Sequence, residues 1–384
     1  MKLSAVLFFI LLSLSPAYAQ SPGHDAFTCR HFSSRISFIT MDSAHSSQTT
    51  VIEYPAYLVL SELPLTDAGA EKSTGLEENL PRAERFIRFI DEQFGGKPVK
   101  YIFSSHWHLH SLSAITPFFR RRCSLVTTRK NWRYALNQGF LGASDAAQFA
   151  PLVKEVNADT TFFADSDFPI RVLYLDTTYT HKPTEDYLFL YFPVDRILHA
   201  SCMCPLPDVN LADGKRIYYS DRLTDVQDAI TRRRLPVDTL IRLGRSERNS
   251  TLLPVFGMNY FEKYMKDGTP LHDVAERYAA MDPERLEVRC GEVLADAVAR
   301  SIPASALNQA VYQCLRRKDY RRALALGRIL LLYAPLDPNY VDTMGEAYYD
   351  AGDTTTAAYY DRILKKSDPL FGGGLKSWES NLQR

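Results

Sequence analysis

Short apolar runs rich in β-branched and aromatic residues, separated by polar breaks, occupy the chain from Ser34 to about Leu65. Their length and composition predict strands over 35–40, 50–54 and 56–60. A polar loop follows. Then Phe86, Ile87, Phe89 and Ile90 fall at helical spacing, which predicts a helix over 81–94 ended by Gly95-Gly96. A short apolar strand over 99–103 leads straight into His106. Strand-like runs return at 124–127, 170–175, 187–192, 197–200 and 240–243, with a helix over 131–136 and a loop and helix over 145–156. Strands alternating with helices make residues 30–250 an α/β domain.

Beyond about Phe261 the pattern turns helical, with four amphipathic segments at 306–315, 320–333, 340–350 and 354–366. Within them Asp319, Ala323 and Pro335 recur as Asp353, Ala357 and Pro369, each 34 residues later. That period, the small residue where two helices cross, and the proline closing the second helix resemble the tetratricopeptide repeat. Met344-Gly345, Ala347-Tyr348 and Gly352-Asp353 match that family's first helix and turn; Ala310, Val311 and Cys314 make a poorer first copy. Two such repeats need caps, which the helices over 283–301 and the tail after Pro369 supply. The resemblance implies a groove for a peptide or protein partner. Two ordinary antiparallel helix pairs remain the alternative. The division expected is a signal peptide over 1–19, an α/β domain over 20–255, a helical linker or cap over 256–302, two repeats over 303–369 and a tail over 370–384.

The first residues change the cellular setting. Lys2 precedes an apolar run of ten, Ala5 to Leu14, and Ala17-Tyr18-Ala19 has the form of a signal-peptidase site. Ten residues are too few to cross a hydrocarbon layer of ~30 Å, and no later segment is apolar enough to span one. A periplasmic or secreted protein is therefore expected. Export makes disulfides possible, with pairing expected among Cys29, Cys123, Cys290 and Cys314. Lysine plus arginine balance aspartate plus glutamate at 45 each, so no net field favours nucleic acid.

The candidate chemistry lies in Ser105-His106-Trp107-His108-Leu109-His110-Ser111. On a helix, residues two apart point about 200° from one another and cannot share a metal. Just past a strand end they project to one side, and a strand does lead into this run, so zinc ligation suits it. Taken alone, the same string also reads as a solvated aromatic loop.

The order strand, polar loop, helix, short strand and HxHxH resembles the metallo-β-lactamase superfamily, over about residues 35–250. Val59-Leu-Ser-Glu-Leu-Pro64 resembles the upstream strand that ends in an acidic residue. Tyr179-Thr180-His181 is placed like the next ligand, and Arg196-Ile-Leu-His-Ala-Ser-Cys202 like the strand that delivers the bridging ligand. Leu243-Gly244-Arg245 falls where the family's final Gly-His sits. The resemblance implies an αββα sandwich with His106, His108 and His181 around one zinc ion. It also exposes departures: His110 stands for the motif aspartate, Ser111 for the adjacent histidine, Cys202 for the bridging aspartate and Arg245 for the last histidine. Arginine stays protonated and cannot bind a metal. His199 is given no role, being placed across the strand from Cys202 or just outside the site.

Three functions follow from the resemblance. The first is an exported mono-zinc hydrolase that activates water against a small ester, thioester or amide substrate, with His110 as general base or fourth ligand, Cys202 as a further ligand and Arg245 gripping a substrate oxygen. The second is a catalytically silent relative acting as a binding scaffold through its helical repeats. A true β-lactamase is the minor reading. A diiron site is excluded by the missing carboxylate ligands.

Overall fold

The computed structural model describes residues 27–41, 48–63, 76–107, 112, 115–137, 141, 143–206, 216–243, 254–335, 337–367, 374, 375 and 378. The expected signal segment, His108, His110 and Arg245 lie outside the described residues.

Two sheets form the body of the first part. The first contains β1 (Phe27–His31), β2 (Ile36–Met41), β3 (Gln48–Glu53), β4 (Leu58–Ser61), β5 (Val99–Phe103), β6 (Ser124–Thr127) and β7 (Val153–Glu155), in that spatial order. β1 to β4 pair antiparallel, and β4 to β7 pair parallel. The second sheet holds β8 (Thr160–Phe162), β9 (Ile170–Leu175), β10 (Tyr187–Phe192) and β11 (Ile197–Ser201) in an antiparallel run. A small strand β12 (Tyr218–Tyr219) lies outside it, while β13 (Thr239–Arg242) pairs parallel with β11 and β14 (Val255–Gly257) closes the edge.

Alternation along the strands sorts the core into layers. Val51, Leu58, Leu60, Ile102 and Leu125 face outward onto helices α1 (Leu76–Gln93), α2 (Thr116–Arg120) and α3 (Arg129–Asn137), meeting Phe86, Ile90, Phe118, Phe119 and Trp132. The opposite face, with Phe38, Ile52, Val59, Phe103 and Val126, meets Ile170, Val172, Leu188, Leu190 and Ile241 of the second sheet. The far face of that sheet, with Leu173, Phe189, Tyr191, Leu198 and Leu240, packs on helices that follow the short α4 (Ala143–Phe149). These are α5 (Arg222–Arg232) and α6 (Met258–Asp267), which contribute Leu223, Val226, Ala229, Phe261 and Tyr264. The layers therefore run helix, sheet, sheet, helix.

β15 (Thr269–Pro270) pairs with β12 and opens the helical part. There α7 (Leu271–Ala279), α8 (Pro283–Val288), α9 (Cys290–Ala299), α10 (Ala304–Arg316) and α11 (Tyr320–Tyr333) share one apolar cluster. α12 (Pro338–Asp350) and α13 (Thr354–Ser367) extend the stack. Asp319 and Asp353 play the same part 34 residues apart, accepting the backbone N–H of Arg322 and Thr356 at 3.2 and 3.0 Å. Ala323 and Ala357 are both buried, and a Cβ at Gly345 would meet Trp378 at 2.2 Å, so this crossing admits no side chain. Among the described residues no helix is long and apolar enough to cross a membrane.

None of the six cysteines is joined in a disulfide, so the pairing expected among Cys29, Cys123, Cys290 and Cys314 does not form. Cys123 is buried in the core beneath the first sheet and Cys314 in the helical cluster, each packed as a small apolar residue, while Cys29 on β1 and Cys290 are half-buried against the same two clusters.

Candidate metal centre

The end of β4 sets the first half of the site. Glu62 is fully buried and adopts φ 66°, a left-handed conformation a non-glycine residue keeps only when its surroundings hold it. Its N–H donates to Phe103 O at 2.9 Å, and its Oε1 accepts the N–H of Ser105 at 3.1 Å. The turn after β5 is thus tied to β4. It is also tied to β10 and α3, because Ser105 O accepts from Leu188 N at 2.8 Å and from Asn131 Nδ2 at 3.4 Å. His106 rides on this turn, fully buried. Ser105 Oγ hydrogen-bonds its Nδ1 at 2.7 Å, and its ring stacks on Tyr187 with centroids 4.8 Å apart.

His181, between β9 and β10, is held from α5. Asp225 Oδ2 accepts its backbone N–H at 2.8 Å, and Asp225 Oδ1 lies 3.1 Å from its Nδ1. The Asp225 side chain is 9% exposed and the imidazole 37%, so the carboxylate is the buried partner and the ring reaches toward solvent. A carboxylate on Nδ1 fixes the proton there and leaves the lone pair on Nε2, the usual support behind a metal-binding histidine.

Cys202 follows β11 past a bulge, where Ser201 takes φ 50°. Its N–H donates to Tyr187 Oη at 2.9 Å, and its carbonyl accepts Arg222 Nη1 at 3.2 Å. Tyr187 therefore joins two of the expected site residues, stacking on His106 and accepting from Cys202. Burial pushes its phenol well above the usual range, and Cys202 and Glu62 add to the rise. α5 joins two as well, carrying Asp225 to His181 and Arg222 to Cys202.

His199 faces the layer between the sheets, since its register partners Leu190 and Ile241 do. Burial lowers its pKa to about 4, and Nε2 has no hydrogen-bond partner among the described residues. Arg245 lies outside the described residues; three residues before it, Arg242 is buried at the end of β13. Arg242 donates to Leu206 O and lies 4.9 Å over the Phe256 ring, so it serves the packing of β13. A groove of about 410 Å³ runs beside the site, with Trp107, Lys130, Arg133, Tyr134 and Glu185 among its walls.

Among the described residues no three His, Cys, Asp or Glu side chains gather as a metal-holding group. The two described histidines nonetheless suit zinc by donor chemistry, each with Nδ1 engaged by an oxygen. Sequence reasoning picked out His106, His181 and Cys202 but missed Asp225, Arg222 and Tyr187. Nothing local to a charged helix or an aromatic strand marks such residues as supports.

No protein-family model matches the chain, and no curated protein matches it. Solved structures that resemble it include metallo-β-lactamases. One is from Pontibacter korlensis, with TM-score 0.43, 18% identity, and 63% of this chain and 98% of that chain covered. FIM-1 from Pseudomonas aeruginosa, in its mono-zinc form, gives TM-score 0.44 and 12% identity over 62% of this chain and 93% of that chain. The Hirschia baltica metallo-β-lactamase gives 0.42 and 12% over 62% and 96%. At that distance the fold rests on the layers and registers described above.

Proposed function

We propose that the α/β part is a hydrolase of the metallo-β-lactamase superfamily working with one zinc ion held by His106, His108 and His181. The observation that most supports this is the clamp on His181, where a buried carboxylate takes the backbone N–H and fixes the ring through Nδ1. Zinc held by three histidines keeps a water in its fourth position, lowers that water's pKa toward neutrality and polarises a carbonyl, which suits esters, thioesters and amides. The protein's own residues orient the ligands: Ser105 and Tyr187 hold His106, Asp225 holds His181, and Glu62 fixes the turn that bears the HxHxH string. His110 is the candidate general base or fourth ligand, Cys202 a further ligand, and Arg245 the cation for a substrate oxygen. The chain is exported, cleaved near Ala19, and the helices after residue 303 form tetratricopeptide-like repeats, a reading supported by the matched caps at Asp319 and Asp353.

A silent scaffold acting through the helical repeats is the second reading, favoured by Arg245 in place of the family's last histidine. A true β-lactamase is the least favoured, since His110 and Arg245 both alter the ligand set. Turnover of a panel of esters, thioesters, lactones and β-lactams by the purified chain separates these readings. Activity abolished in His108→Ala supports the hydrolase, and no turnover of any class supports the scaffold.

A further inference from the structure

The first turn of α5 faces two ways. Asp221 stands at its N-cap, buried, yet its carboxylate makes no capping bond to its own helix. Both oxygens go instead to the helical part. Oδ1 accepts the backbone N–H of His272, the second residue of α7, at 3.2 Å, and Oδ2 accepts Gln309 Nε2 of α10 at 3.1 Å. The next residue, Arg222, donates to Cys202 O, and Asp225 holds His181 through two bonds. Residues four apart on a helix are about 6 Å apart along its axis, so the helical grip and the site grip share one turn. Leu223 and Val226 in the same stretch bury against the second sheet.

We propose that the helical part positions the candidate metal centre: through Asp221 it sets the start of α5, and α5 sets Cys202 and His181. Asp221 and Gln309 are then positioning residues. This assigns the helical part a role in the site itself, separate from any partner it recruits. As a statement about a zinc site it rests on the reading above; as a statement about the position of His181 it does not. Removing Gln309's amide also leaves a buried carboxylate oxygen short of a donor, a perturbation that the α5 backbone must absorb.

The test uses the full chain in three variants. Gln309→Ala removes one arm of the link and Asp221→Ala removes both. Tyr312→Phe, which loses the hydrogen bond to Glu346 at 2.8 Å, perturbs the helical part without touching Asp221. Hydrogen exchange of the His181 amide is read without metal, and zinc affinity by competition with a chelator. The expected result is faster His181 exchange and zinc binding weakened by about 2- to 30-fold in the first two variants, with Tyr312→Phe unchanged. Exchange and affinity like wild type in all three would overturn the proposal, as would an equal effect in Tyr312→Phe, which would signal general loosening. Should wild type bind no zinc, the zinc reading fails by itself, and His181 exchange alone decides whether the link stands.

Discussion

His199 offers a test of the packing between the sheets. Its imidazole is 1% exposed, Nε2 has no partner among the described residues, and its pKa falls from 6.5 to about 4 because burial penalises the charged form. A base whose pKa drops on folding favours the native state while both states are neutral. That advantage persists above the unfolded value of 6.5 and is lost as pH falls toward 4. The whole effect amounts to about 3 kcal/mol, and the part lost between pH 7 and pH 5 to about 2 kcal/mol. Other groups titrate in the same window, so the informative quantity is a difference of differences. Urea unfolding of wild type and His199→Leu at pH 7 and pH 5 isolates it, because leucine fills similar space without titrating. Wild type is expected to lose about 2 kcal/mol more than the variant on acidification. Equal losses in the two proteins would show that the imidazole is hydrated in the native state and that the layer is open there.

Other expectations concern the supports of the site and the repeat crossing. Tyr187→Phe keeps the ring against His106 but strips the acceptor from the Cys202 N–H, so thermal unfolding should show a loss of about 1–3 kcal/mol, with faster exchange at the Cys202 amide; a variant as stable as wild type would refute that tie. Asp225→Asn should weaken zinc binding by about 10- to 100-fold while the far-ultraviolet circular dichroism stays unchanged, and undiminished affinity would count against the clamp. Gly345→Ala pushes a methyl into the Trp378 ring and should cost about 1–3 kcal/mol in thermal melts, reported also by a shift in tryptophan emission.

Much of the fold was legible because its strands are short, apolar and bounded by breakers. Val99–Phe103, Ser124–Thr127, Ile170–Leu175 and Tyr187–Phe192 lie where the pattern predicts them, and so does the helix Tyr320–Tyr333. Elements with a weak pattern escaped. The residues of β7 were expected in a loop and helix, and a strand of three residues, two of them exposed, has no period to read. α5 was missed because Arg222, Asp225, Asp228 and Arg232 spread charge along it and make it read as loop, although Leu223, Val226 and Ala229 form its buried stripe. α1 starts before Pro81 instead of at it: the buried face of Ala83, Phe86, Ile87 and Ile90 offsets the lost backbone hydrogen bond and the ring clash that an internal proline brings.

The site was legible in part for a related reason. Histidines and a cysteine near strand ends declare themselves in sequence. The groups that aim them do not, because they come from distant elements: Asp225 lies 44 residues beyond His181, and Tyr187 meets His106 from the other sheet. His199 shows the converse, a histidine near the ligand strings whose register turns it into the core.

Zinc content of the purified full-length chain, measured beside His106→Ala and His181→Ala, tests the metal centre most directly. One zinc per chain in wild type, lost in both variants while their folds persist, is the expected result. Wild type without stoichiometric zinc, or zinc retained in both variants, would contradict it.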